Sequence, residues 1–150
     1  MRMTLDTNVL VYAFSERESK HSAAADLLRR AASNDCVQPI QTFGEFLHVV
    51  TRKHRCTAEE AVKAVSRFRA IVDVTAADER DFDEALRICV RHRAPFWDAL
   101  IWATARRAGS RAILTEDVPG VADLDGLAFV NPFDPGNERL LRMILPAVEH

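Results

Sequence analysis

The sequence predicts an α/β domain built on a mainly parallel sheet, and three features predict it. Short apolar runs recur at residues 3–5, 36–40, 72–75, 112–115 and 128–130. Helical patterns separate most of these runs, and parallel neighbours need crossovers of that kind. No internal repeat, low-complexity tract or linker interrupts the order. Such sheets bury both faces and bind ligands beyond the carboxyl ends of their strands, so chemistry is sought in the residues just after each strand.

Residues 3–5 read as a buried strand at the head of the apolar run MTLDTNVLVYAF. A helix is expected from about Ser19 to Ala32, with Ala24, Leu27, Leu28 and Ala31 on one face. Cys36 to Ile40 is a second strand, weakened by Pro39, and is followed by a helix from about Thr42 to Lys53. Thr57-Ala-Glu-Glu60 has the S/T-x-x-E pattern of a capping box and opens a helix to about Ile71. Val72 to Thr75 is a strand, and Asp78 to His92 a helix with Phe82, Ala85, Leu86 and Cys89 in register. Pro95 opens the next helix, which ends at Gly109 as a left-handed C-cap. Ala112 to Thr115 and Ala128 to Val130 are the last strands, with Pro119, Gly120 and Gly126 in the loop between them. A final helix starts after Asn137.

Composition bounds the class. A chain of 150 residues, 48% hydrophobic and 28% charged, reads as one domain, residues 1–150, able to bury a core without disulfides or structural metal. Cys36, Cys56 and Cys89 are odd in number, far apart and without a CxxC pair, which fits a reducing cytoplasm. Residues 1–14 are too short and too interrupted by Asp6 for a membrane span and lack the marks of a signal peptide, so they are read as part of the fold. A net charge of −2 argues against indiscriminate nucleic-acid binding. Basic residues nevertheless cluster at Arg29-Arg30, Arg52-Lys53-His54-Arg55, Arg91-His92-Arg93 and Arg106-Arg107 with Arg111, as solvated helix ends or as contacts for phosphate.

The chemistry-bearing residues are acids in apolar places. Asp6 sits among Leu5, Val9, Leu10 and Val11, where an unpaired carboxylate costs several kcal/mol, roughly 2 or more even for a neutral polar group. Asp117 falls just after the strand at 112–115, a position equivalent to that of Asp6. Asp98 shares a helix face with Ile101, Trp102 and Ala105, which makes it an acid on a buried face. Glu45 lies between Phe43, Phe46 and Leu47, and its own face carries His48, Val49 and Arg52. Bland roles compete for each residue: an Asx-turn at Asp6, a helix-dipole aspartate at Asp98, an exposed Glu45–Arg52 pair and a loop aspartate at Asp117. If the acids converge, their repulsion is relieved by cations, and oxygen ligands without convergent His or Cys select magnesium or manganese over zinc. Such a site hydrolyses phosphodiesters by metal-activated water. No GxxxxGK[ST] loop, GxGxxG fingerprint, G-x-S-x-G elbow or HExxH pair is present, and His21, His48, His54 and His92 lack metal-ligand spacing.

The segments LDTNVLVYAF, GEFLHVV, FWDALIWATARRAG, ILTEDV and VNPF occur in this order, and with them the chain resembles PIN domains, more narrowly VapC-type toxin ribonucleases of toxin-antitoxin pairs. The resemblance implies a three-layer α/β/α fold and a magnesium-dependent endoribonuclease, with manganese as a substitute ion. It places the acidic set on Asp6, Glu45, Asp98 and Asp117. Asp6 and Asp98 would be the principal metal ligands, Asp117 would complete the shell, and Glu45 would bind metal or orient water. Asn8 and Thr115 would hold the carboxylates by hydrogen bonds. It further implies an RNA substrate, a homodimer and an antitoxin that lays a basic side chain among the acids; no membrane partner is expected, since residues 1–14 do not make a span. EDVPGVADLDG departs from the usual pattern after the fourth acid, which leaves Asp123 as a substitute or supplement for Asp117. Two other readings stand beside this one. A non-catalytic PIN-like scaffold would keep the acids for folding or for a partner. A haloacid-dehalogenase-type phosphatase would use Asp6 as nucleophile, but it requires an Asp where Asn8 stands.

Overall fold

The computed structural model of the chain describes residues 1–120 and 123–147; residues 121 and 122 of the expected 115–128 loop lie outside them. In chain order the elements are β1 (Met3–Leu5), α1 (Thr7–Phe14), α2 (His21–Ala32), β2 (Val37–Pro39), α3 (Ile40–Arg52), α4 (Ala58–Arg69), β3 (Asp73–Thr75), α5 (Glu79–His92), α6 (Phe96–Arg107), β4 (Ala112–Leu114), β5 (Asp123–Leu124), β6 (Leu127–Val130) and α7 (Glu138–Ile144). Among the described residues, no helix is long and apolar enough to cross a membrane.

Four strands pair in the order β1-β4-β6-β5, parallel except for β5 against β6. A second parallel pair, β2-β3, meets the β1 edge at a single bridge between Met3 and Cys36. Beyond that bridge, side chains replace the backbone ladder. Gln38 is 1% exposed; its Oε1 accepts from the Leu5 amide at 3.2 Å and its Nε2 donates to the Leu5 carbonyl at 2.5 Å. The Thr4 hydroxyl donates to the Val37 carbonyl at 2.7 Å. A glutamine thus completes the sheet where the two strand pairs diverge.

Alternation along the strands divides the core in two. Met3, Leu5, Ala112, Leu114 and Val130 pack with residues of α1 to α4 and α7, whereas Ile113, Leu127 and Phe129 pack with residues of α5 and α6. Helices therefore cover both sheet faces, which makes three α/β/α layers.

Several local features differ from the sequence expectation. α1 is a helix where none was predicted, because its residues are apolar nearly all round and show no stripe of 3.6-residue period. β5 has only two residues, too short to register as a pattern. At Thr57 only half of the capping box forms: the Thr57 hydroxyl accepts from the Glu60 amide, while the Glu60 carboxylate accepts from the Cys56 thiol. The complete box is at Asp78 and Asp81, at the head of α5. α6 ends as expected, with Gly109 at φ +94° and a Schellman closure from the Ser110 amide to the Ala105 carbonyl at 3.0 Å.

Replacing Gln38 with leucine strands the Leu5 amide and carbonyl inside the core. We expect a loss of about 2–4 kcal/mol in urea unfolding. A loss below about 1 kcal/mol would show that the glutamine does not join the strand pairs.

Candidate active site

Asp6 follows β1 directly and is the N-cap of α1, its Oδ1 accepting from the Thr7 amide at 2.8 Å. Its Oδ2 accepts from the Thr115 hydroxyl at 2.8 Å. Thr115 follows β4, the strand paired with β1, so this bond ties two adjacent strand ends together. The same hydroxyl accepts from the Asp117 amide at 3.1 Å, and the Asn8 side-chain amide donates to Asp117 Oδ2 at 3.1 Å. From α3, Glu45 Oε2 accepts from the Thr7 hydroxyl at 2.8 Å. Asp98 stands in the first turn of α6.

Asp6, Glu45, Asp98 and Asp117 all line one pocket of about 260 Å³, together with Thr7, Asn8, His48, Trp102 and Thr115. No lysine or arginine lines it among the described residues. The neutral donors Thr7, Asn8 and Thr115 supply the hydrogen bonds that a cation supplies elsewhere.

Three expectations change. Asp98 is exposed although Ile101 and Ala105 on its face are buried, because the first turn of α6 opens into the pocket mouth. Glu45 is half-buried and bonded to Thr7, with no pairing to Arg52 among the described residues. Asp123 is exposed on β5, where its Oδ1 accepts from the Gly126 amide at 2.7 Å, so Asp117 is the one of the two that reaches the pocket.

Charge crowding shows in the acidities. Burial pushes the Asp6 carboxyl above its ordinary value; bonds from Thr115 and Thr7 oppose the rise, and the charges of Glu45 and Asp98 add to it. Asp98 is also raised, first by partial burial of its carboxyl among the pocket atoms and then by the charge of Asp117.

Residues that sequence reasoning missed hold this site in place. Thr7, which joins Glu45 to the Asp6 corner, could have been suspected from its place between two site residues in DTN. Tyr12 donates to Glu116 Oε1 at 3.0 Å, and the Lys20 ammonium pairs with Glu116 Oε2 while lying 5.5 and 5.3 Å from the Tyr12 and Phe133 ring centroids. The Lys20 bond holds the Glu116 carboxyl below its ordinary pKa, and burial followed by the Glu116 bond pushes the Tyr12 phenol up to about 12. This anchored glutamate precedes Asp117 and fixes the chain as it enters the pocket. No periodicity marks Lys20 for the role.

As placed, no three His, Cys, Asp or Glu side chains among the described residues stand close enough to enclose a metal ion. The donor set nevertheless fits magnesium, which keeps several waters and is held by one or two carboxylates together with substrate phosphate. All four acids offer hard oxygen, and among the described residues His48 is the only histidine or cysteine in the pocket lining.

A family model for the PIN domain matches residues 3–119. None of the curated proteins matches the chain. Among solved structures, VapC20 of Mycobacterium tuberculosis, described as a Sarcin-Ricin loop cleaving toxin, is 22% identical, with 74% of this chain and 86% of that one covered at a TM-score of 0.61. A toxin-antitoxin complex from Klebsiella pneumoniae is 16% identical, covering 88% and 98%, with a TM-score of 0.65. A DNA-bound VapBC from Salmonella typhimurium is 15% identical, covering 86% and 96%, with a TM-score of 0.64. At these identities the likeness is one of fold. The family match spans well over half of the sequence and includes all four pocket acids, Asp6, Glu45, Asp98 and Asp117: the chain belongs to the PIN domain family.

Proposed function

We propose that the chain is a divalent-metal-dependent endoribonuclease, the toxin of a toxin-antitoxin pair, with magnesium as its ion. The observation that carries this reading is the pocket itself, which four carboxylates from separate elements line with no lysine or arginine among the described residues. A pocket that only stabilised the fold would gain by pairing or neutralising them.

In this reading Asp6, Asp98 and Asp117 hold the ion, and Asn8 and Thr115 fix two of those carboxylates in position. When bound, a divalent ion neutralises charge on the scissile phosphate and lowers the pKa of water. Glu45 has one oxygen occupied by Thr7, which leaves Oε1 to take a proton from the attacking water. That water's oxygen bonds to phosphorus as the bond to the leaving ribose oxygen breaks. The exposed side of the pocket, at Asp98, admits the polynucleotide. A partner protein that places an arginine or lysine among the acids would displace the ion and shut the site, the role we assign to an antitoxin. Toxin-antitoxin complexes recur among the solved structures of similar fold, which supports this assignment.

The scaffold reading is favoured by one observation, that no three ligand groups close on a common point as placed. Activity separates the two. Purified chain with magnesium is expected to cleave single-stranded RNA, with EDTA, Asp6→Asn or Asp98→Asn abolishing cleavage and Thr115→Val slowing it about 10–100-fold. Cleavage that survives EDTA or Asp98→Asn would refute the assignment, and folded protein inert on every RNA tested would favour the scaffold.

Stability against pH tests the crowding directly. Asp6 and Asp98 are both raised from 3.8, so the folded state binds more protons and stability falls as pH rises from 3.8 through their elevated values. Without metal at neutral pH, Asp98→Asn is expected to melt higher than the parent, with the difference fading as pH falls towards 3.8. Magnesium should narrow or reverse the gap. A variant that melts lower than the parent in EDTA at neutral pH would contradict the analysis.

A further inference from the structure

Hydrolysis of a phosphodiester moves two protons, one away from the attacking water and one onto the ribose oxygen that leaves. In the nuclease reading Glu45 takes the first, and the leaving oxygen still lacks a donor. Few groups in the pocket lining can supply one. Asp6, Asp98 and Asp117 act there as carboxylates, and the Thr7 and Thr115 hydroxyls already donate to Glu45 and Asp6. The Asn8 amide and the Trp102 indole carry N–H groups that form hydrogen bonds without giving up the proton. His48 remains: among the described residues it is the only imidazole in the lining, and no lysine or arginine joins it. Imidazole is the side chain most often used to transfer a proton in catalysis.

Position supports the role. His48 follows Glu45 by three residues on α3, so the two share a helix face with Cβ atoms about 5–6 Å apart. Groups at that spacing can serve oxygens on opposite sides of one phosphorus atom. Glu45 is half-buried and bonded to Thr7, whereas His48 is exposed at the rim of the same pocket. The His48 carbonyl accepts from Thr51, but its ring makes no hydrogen bond or ion pair among the described residues. The buried acid thus faces the incoming water, and the exposed ring faces the strand that departs. We propose, resting on the nuclease reading, that His48 is the general acid for the leaving group. As the P–O bond breaks, its electron pair stays on the ribose oxygen, and a protonated His48 ring gives that oxygen its N–H proton. The products are a ribose hydroxyl and a neutral imidazole. His48 regains a proton from solvent, and Glu45 returns the proton of the attacking water to solvent.

Sulfur in place of the leaving oxygen tests this. The cut bond is mapped in a single-stranded RNA cleaved by the full wild-type chain, and the product end groups show which ribose oxygen leaves. The oligonucleotide is then made again with sulfur at that atom, since a thiolate is a weaker base and leaves without a proton. Both substrates are assayed in manganese so that they meet one ion. His48→Gln is expected to slow the oxygen substrate about 100–10,000-fold and the sulfur substrate less than about threefold. Its manganese affinity and melting temperature should match wild type, because the ring is exposed and is not assigned to the ion. Equal slowing of both substrates would overturn the proposal and make His48 a residue that binds RNA. Weakened manganese affinity would overturn it by making His48 a ligand, and cleavage of the oxygen substrate at the wild-type rate would leave the ring no role. Each of these results keeps the nuclease reading, whereas a wild type inert on every RNA overturns both.

Discussion

Repulsion among carboxylates that share one pocket without a lysine or arginine among the described residues is the constraint on which the site depends. Two acids outside this set are paired with cations: Asp81, 2% exposed, takes two bonds from Arg107, and Glu116 takes Lys20. In the pocket the donors are two hydroxyls, a side-chain amide and the first amide of a helix, which fix the oxygens while leaving their charge in place. Neutral donors orient a carboxylate, but they leave attraction for a cation intact. The contrast between Glu116 and its neighbour Asp117 shows the division within two residues.

The sheet makes this arrangement possible. β1 and β4 are parallel neighbours, so the residues that follow them, Asp6 and Thr115, leave the sheet side by side at the same edge. From β1 the chain turns into α1, and Asp6 serves both as its N-cap and as a pocket acid. α3 brings Glu45 to Thr7, and the first turn of α6 brings Asp98, so helices on opposite faces of the sheet meet over one strand edge. Residues far apart in sequence therefore converge at the topological switch point where open α/β sheets bind ligands.

Much of this was legible in the sequence, and the remainder was hidden for identifiable reasons. The buried strands at 3–5 and 112–114 announce themselves as apolar runs, Pro95 and Gly109 mark the ends of α6 by fixed local chemistry, and α7 starts after Asn137 as expected although the Asn137 side chain does not cap it. α1 left no periodic trace because Val9, Leu10 and Val11 are all buried, as befits a helix enclosed by neighbours. The acids stood out as polar residues in apolar company, but their exposure did not, since a helical stripe shows which face is buried and not where along the helix the burial ends. Asp98 illustrates that limit. Gln38, which bridges two strand pairs through a buried amide, reads in sequence as an ordinary polar residue in a short strand. Pairings between distant positions, such as Thr7 with Glu45 and Lys20 with Glu116, carry no local signature at all.

The most direct test of the central claim is anomalous diffraction from crystals soaked in manganese. The account predicts a peak inside the pocket within coordination distance of the Asp6 and Asp98 carboxylates, lost in crystals of the Asp98→Asn variant. A pocket that stays empty at saturating manganese, or a peak that appears only at acids elsewhere on the surface, would contradict it.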